Sequence, residues 1–121
     1  FVLVKRGYYR KLVGEATIPL AIYELGNTLW KLTFVRRIIN RNEAEKLREN
    51  LNEVLSLMKI VSLDTLIEST AFKTSLEKGI TFYDASYVAT ALLKDLILVS
   101  EDQRLINAVY DITKVIRAAE L

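Results

Sequence analysis

Three acids in this chain stand where the local sequence offers no counter-charge. Glu24 lies in the apolar stretch "IPLAIYELGNTLWKL" (residues 18–32). At helical i±3 and i±4 spacing it meets Leu20, Ala21, Asn27 and Thr28, none of them a cation. Asp84, in "GITFYDASYVATALL" (79–93), meets Ile80, Thr81, Tyr87 and Val88 at the same spacings. Asp102 comes two residues after Ser100, at the end of the apolar run "LILVS" (96–100). A carboxylate without a partner in apolar surroundings is costly. Several brought together repel one another unless a cation neutralises them, and a hard divalent ion held by oxygen atoms and water does so economically.

Each acid also has a plain structural explanation. Glu24 at a rim, or paired with a distant Lys or Arg, needs no chemistry. Thr81 as N-cap with Asp84 at the third helical position makes a capping box, well placed for the helix dipole. Ser100 can cap a helix with Glu101 and Asp102 in its first turn, Glu101 then being a solvated partner of the dipole.

Two zeros in the composition narrow the chemistry further. With no cysteine there is no thiol nucleophile, disulfide framework or thiolate zinc site. With no histidine there is no Ser-His-Asp triad, no HExxH site and no imidazole proton shuttle. Hydrolytic chemistry would have to come from carboxylates, hydroxyls, lysines or a metal held by oxygen ligands, which favour Mg2+, Mn2+ or Ca2+.

The 121 residues, 51% hydrophobic and 26% charged, describe one globular domain able to bury a core without disulfides. The longest apolar runs, such as "YVATALL" (87–93), fall far short of the ~20 residues of a membrane span. No secretory signal is recognisable, so a soluble cytoplasmic protein with no membrane association is the expectation. A net charge of +2 permits a nucleic-acid partner without arguing for one.

The elements that must position the acids can be read from pattern. "FVLV" (1–4) and "ATI" (16–18) have strand character, with the basic "KRGYYRKLVG" (5–14) between them. Pro19 suits a first helical position, and the helix it opens runs to about Val35. Asn40 and Glu43 form a capping-box pair for a helix to about Met58, within which Glu43–Lys46 and Glu45–Arg48 are spaced to pair. "KIVSL" (59–63) reads as a strand. Asp64 caps a helix that stops at Gly79, and Thr81 caps the next. "LILVS" reads as a strand buried on both faces, "DQRLINAVY" (102–110) as a short helix and "ITKVI" (112–116) as a last strand. Short strands alternating with longer helices predict an α/β domain with a mainly parallel sheet.

That architecture is what joins the acids. Sites in open α/β sheets form beyond the carboxyl ends of the strands. Asp102 and Ser100 lie at such an end, Asp84 in the first turn of the helix before that strand, and Glu24 in the first turns of the helix after "ATI".

At these residues the sequence resembles the PIN-domain proteins, and specifically the VapC-type toxin ribonucleases of prokaryotic toxin–antitoxin pairs. The resembling segments are "YELGNTLWK" (23–31), "GITFYDASYVATAL" (79–92) and "LILVSEDQRL" (96–105), in the family's order and covering nearly the whole chain. The resemblance implies a three-layer α/β sandwich, its mainly parallel central sheet flanked by helices and spanning residues 1–121 as a single PIN-like domain. It implies Mg2+ or Mn2+ bound by clustered acids that cut RNA, a homodimer, and a VapB-like antitoxin that holds the enzyme inactive. The family's acids map onto Glu24, Asp84 and Asp102, as catalytic residues and metal ligands. Asn27 and Ser100 match the polar residues that support them.

One departure stands out. The family opens with a hydrophobic strand ending in an Asp, and here no Asp precedes Asp64. Either that strand lies upstream of Phe1, or the chain is a relative without it, of weak or absent activity. "FVLV" or another strand is then expected to fill the place, since an empty central slot leaves backbone groups of its neighbours unpaired. The alternative function is a non-catalytic PIN-like module that binds antitoxin or RNA. A further reading is an unrelated α/β protein whose acids only cap helices.

Two surface expectations complete the reading. RNA contact could use Lys5, Arg6, Arg10 and Lys11 with Tyr8 and Tyr9 interleaved, or Arg36, Arg37 and Arg41, although a solvated charged face is the simpler use of each cluster. Trp30 and Phe34 in "LWKLTFV" (29–35) could form a dimer or antitoxin groove, although core packing is expected for most of that segment.

Overall fold

The computed structural model describes residues 9–121, so the strand expected at "FVLV" and most of the basic segment after it lie outside the described residues. The chain divides into two compact units, Phe1–Val61 and Ser62–Leu121.

In the first unit a short 3-10 turn, Tyr9–Leu12, leads to strand β1 (Ala16–Thr17) and helix α1 (Leu20–Trp30). Pro19 immediately precedes α1 with φ −55°, already helical, and its carbonyl accepts from Ile22 N–H at 3.1 Å. It thus sits one place earlier than the pattern suggested, the usual uncertainty of a helix boundary. The helix does continue to Val35, but Lys31–Val35 is a π-helical turn, with Arg36 N–H reaching back five residues to Lys31 O at 2.8 Å. Thr28 and Thr33 donate their hydroxyls to the carbonyls of Glu24 and Leu29, each at 2.8 Å, and such side-chain donors loosen a regular helical ladder.

Helix α2 (Arg41–Ser56) begins with the expected capping box. Asn40 Oδ1 accepts from Glu43 N–H at 2.8 Å, and Glu43 Oε1 accepts from Asn40 N–H at 3.2 Å. Glu45 and Arg48 pair at 3.3 Å as their spacing predicts. Strand β2 (Lys59–Ile60) lies parallel to β1, Ala16 opposite Lys59 and Thr17 opposite Ile60. Parallel strands need a long crossover, and α1 and α2 supply it.

The second unit runs α3 (Thr65–Lys78), α4 (Phe82–Leu93), β3 (Leu98–Val99), α5 (Gln103–Val109) and β4 (Val115–Ile116), ending in a 3-10 turn at Ala118–Glu120. Asp64 caps α3 by accepting from Ile67 N–H at 2.8 Å. Gly79 ends α3 in the left-handed conformation, φ 64°, which glycine adopts without a Cβ penalty. Strands β3 and β4 are parallel, with Leu98 opposite Val115 and Val99 opposite Ile116.

A core of Val88 and Ala91 from α4, Leu98 from β3, and Leu105 and Val109 from α5 holds this unit together. Helices α3 and α4 pack against each other, and Ala71 and Thr74 on α3 and Ala85 and Ala89 on α4 are all buried. The buried hydroxyls on α4 bond along their own helix, Ser86 Oγ to Phe82 O and Thr90 Oγ1 to Ser86 O, each at 2.8 Å. Such bonds satisfy polar groups that would otherwise be costly to bury. The run "LILVS" departs from expectation. Only two residues join the ladder, and although Leu98 is buried, Val99 remains 41% exposed.

Candidate functional site

Helix starts position two of the three acids. Asp102 is the N-cap of α5: its Oδ1 accepts from Arg104 N–H at 3.0 Å and from Leu105 N–H at 3.3 Å. Ser100, the cap suggested by pattern, instead turns its Oγ to accept from Asp102 N–H at 3.1 Å. The order is set by β4: Ser100 N–H donates to Ile116 O at 3.0 Å, so Ser100 still belongs to the strand edge and the helix can start only beyond it. The hydroxyl therefore fixes the backbone of Asp102, and Asp102 caps the helix.

Asp84 sits in the first turn of α4, half-buried, with Thr81 Oγ1 accepting from its N–H at 3.1 Å. Thr81 is the N-cap, as its type and spacing predict. One turn later Val88 enters the core shared with Leu105 of α5, so the two acids lie near the starts of two helices that share one core. Each carboxylate also lies at the positive end of a helix dipole.

Glu24 belongs to the first unit, on an exposed face of α1, with Asn27 exposed one turn later. Within each unit, no three acids among the described residues are grouped so as to hold a metal ion. The available donors are carboxylate oxygens with a hydroxyl and an amide nearby in sequence, a set whose chemistry suits a hard cation.

One feature of this region escapes any local pattern. Glu101, expected as a solvated partner of the dipole, is a tether. Its Oε1 accepts from Ala118 N–H at 2.8 Å, and its Oε2 from Arg117 Nη1 at 3.4 Å. Arg117 Nη1 also donates to Glu101 O at 3.3 Å, while Nη2 donates to Gln103 Oε1. Arg117 therefore grips the residues on either side of Asp102. A partner sixteen residues away leaves no trace in helical or strand periodicity.

The surface expectations also change. Of "LWKLTFV", Leu29 alone is buried, while Trp30 is 52%, Phe34 70% and Val35 63% exposed, so core packing does not account for the segment. Of the first basic cluster only the Lys11 side chain falls among the described residues, and it is exposed. Among those residues no helix is long and apolar enough to cross a membrane.

Comparison with known proteins bears on all of this geometry. The PIN-domain family profile matches residues 8–111. Two relatives from Pyrobaculum aerophilum are similar in sequence. Exonuclease VapC9 is 36% identical over 91 residues, which is 75% of this chain and 64% of the relative. Ribonuclease VapC3 is 39% identical over 75 residues, 62% of this chain and 56% of the relative. The chain thus spans less than two thirds of the length of either. The crystal structure of PAE2754 from the same organism superposes with a TM-score of 0.69 at 32% identity, covering 87% of this chain and 71% of that one. The helix-rich α/β fold with parallel strands is the PIN fold, and the chain belongs to the PIN-domain family.

Proposed function

We propose that this chain is a metal-dependent endoribonuclease of the VapC toxin type, acting in the cytoplasm as a homodimer and held in check by a VapB-like antitoxin. The observation that carries the reading is the family match over residues 8–111 together with similarity to two VapC nucleases. Glu24, Asp84 and Asp102 stand at the positions of the family's acids, and their oxygen donors fit Mg2+ or Mn2+. Such an ion, when bound, polarises a phosphodiester and acidifies a bound water.

The chain's own groups have separate tasks in this scheme. Asp84 and Asp102 would hold the ion through their carboxylate oxygens, directly or through water. Asp102 already commits one oxygen, Oδ1, to capping α5. Glu24 acts as a further ligand or orients the attacking water. Asn27 and Ser100 restrain carboxylate geometry, and the Ser100 bond to Asp102 N–H is the kind of contact that does so.

The test is cleavage of single-stranded RNA with Mg2+ or Mn2+, compared with Asp84→Asn and Asp102→Asn. Loss of more than about a hundredfold in rate is expected for either, since even residues that only support a metal ligand cost ~10–100-fold. Cleavage indifferent to both substitutions would remove these acids from the reaction. RNA binding without cleavage at any metal concentration would favour the non-catalytic module.

A further inference from the structure

We propose that Arg117 is a positioning residue for Asp102. Together with Glu101 it continues the pairing of β3 and β4 through side chains, and so fixes the segment that presents the Asp102 carboxylate. That this carboxylate holds a metal ion rests on the nuclease reading, whereas the latch itself lies wholly within the second unit.

Main-chain pairing of the two strands stops just short of Asp102. Leu98 N–H donates to Lys114 O at 2.9 Å, and Ser100 N–H donates to Ile116 O at 3.0 Å. A parallel ladder advances two residues on each strand, so its next rung would bring Ala118 N–H to Ser100 O. Ala118 N–H donates instead to Glu101 Oε1 at 2.8 Å. A side-chain carboxylate thus takes the place of a backbone acceptor, and the chain beyond Ser100 turns away into α5.

Arg117 closes what that turn leaves open. Its Nη1 donates to Glu101 O at 3.3 Å and to Glu101 Oε2 at 3.4 Å, while Nη2 donates to Gln103 Oε1. Gln103 Nε2 donates in turn to Asn107 Oδ1 at 2.7 Å, one turn further along α5. One planar fork therefore spans the residues before and after Asp102, which a lysine, as a point donor, does not reproduce. Asp102 itself is tied at two points. Ser100 Oγ accepts its N–H, and its Oδ1 accepts from Arg104 N–H and Leu105 N–H. Flanking backbone, amide and one carboxylate oxygen are all restrained before any ligand arrives, as a metal ligand requires.

Charge and geometry predict opposite outcomes when Arg117 is removed. A cation near a divalent-ion site repels the ion, so if charge were its whole contribution, deleting it would tighten binding. A residue that orients a ligand predicts the reverse, because such support is worth ~10–100-fold in metal affinity.

The experiment is a Mn2+ titration of the full chain read by electron paramagnetic resonance, which counts free ion and needs no turnover. Backbone amide exchange is followed by NMR on the same proteins, and thermal melts confirm that each variant is folded. Arg117→Ala should weaken Mn2+ binding about tenfold or more. Exchange at the Arg104 and Leu105 amides should quicken, while exchange within α3 and α4 stays as it was. Arg117→Lys, which keeps the charge and loses the fork, should behave like Arg117→Ala. Affinity unchanged or tightened in the folded alanine variant overturns the inference. So does an Arg117→Lys protein that matches the unsubstituted one, which would leave charge as the whole contribution. Failure of the nuclease reading looks different: the unsubstituted protein takes up no Mn2+. Exchange at Arg104 and Leu105 then decides the latch alone, quickened exchange in Arg117→Ala sustaining it and unchanged exchange overturning it.

Discussion

Arg117 and Glu101, sixteen residues apart, are joined by two contacts: Arg117 Nη1 donates to the Glu101 carbonyl at 3.3 Å and to its carboxylate at 3.4 Å. The same guanidinium reaches Gln103, so the segment carrying Asp102 is held from both sides. The pair is nearly half exposed, 41% and 47%, and in that setting an ion pair contributes only about 0–1 kcal/mol. Its consequence is positional. Arg117→Ala should lower stability by no more than about 1 kcal/mol while raising the Mg2+ concentration needed for half-maximal cleavage. Glu101→Gln, which keeps an acceptor for Ala118 N–H, should be milder than Glu101→Ala. Metal dependence unchanged from the unsubstituted protein in all three variants would reduce the tether to a stability contact.

Asp102 carries two tasks that one pair of substitutions separates. Its Oδ1 caps α5 through Arg104 N–H and Leu105 N–H. Asparagine caps helices as well as aspartate, whereas alanine costs about 0.5–2 kcal/mol at such a position. Chemical denaturation should therefore show Asp102→Asn close to the unsubstituted protein and Asp102→Ala clearly less stable. Both should lose RNA cleavage. Retained cleavage in the asparagine variant would leave the side chain with capping alone.

The Lys78–Asp111 ion pair, 2.7 Å between Nζ and Oδ2, ties the end of α3 to the turn before β4. The Lys78 hydrogen bond holds the Asp111 carboxyl below its ordinary value of 3.8. A depressed carboxylate contributes stability above its unfolded pKa, and that contribution fades as pH falls through the folded value. Lys78→Met should therefore melt below the unsubstituted protein at neutral pH, with the gap closing on acidification below the ordinary carboxylate range. A melting-temperature gap constant across that range would show that the pair does not couple to folding.

Gly79 closes α3 with φ 64°, and a Cβ built there meets nothing within 4 Å. Any penalty for Gly79→Ala is then conformational rather than steric. A loss of about 1 kcal/mol is expected, from the strain of a left-handed alanine. Gly79→Asn should recover part of it, because asparagine tolerates that region better. Urea denaturation of the three proteins makes the comparison.

Local chemistry alone determined the punctuation of this chain. Asn40 with Glu43, Asp64, Thr81 and Gly79 stand where their types demand, because a cap or a left-handed stop is decided by bonds spanning only a few residues. The α/β class and the family resemblance were legible for a related reason: period and motif are properties of contiguous sequence. The tertiary structure decided what depends on distant partners. It turned Glu101 from a solvated acid into a tether for Ala118 and Arg117, made Asp102 rather than Ser100 the cap of α5, and left Trp30 and Phe34 exposed in a cleft with arginines. Residues separated by a loop or a whole helix meet only when the chain between them has packed, and no spacing rule within one element encodes that meeting.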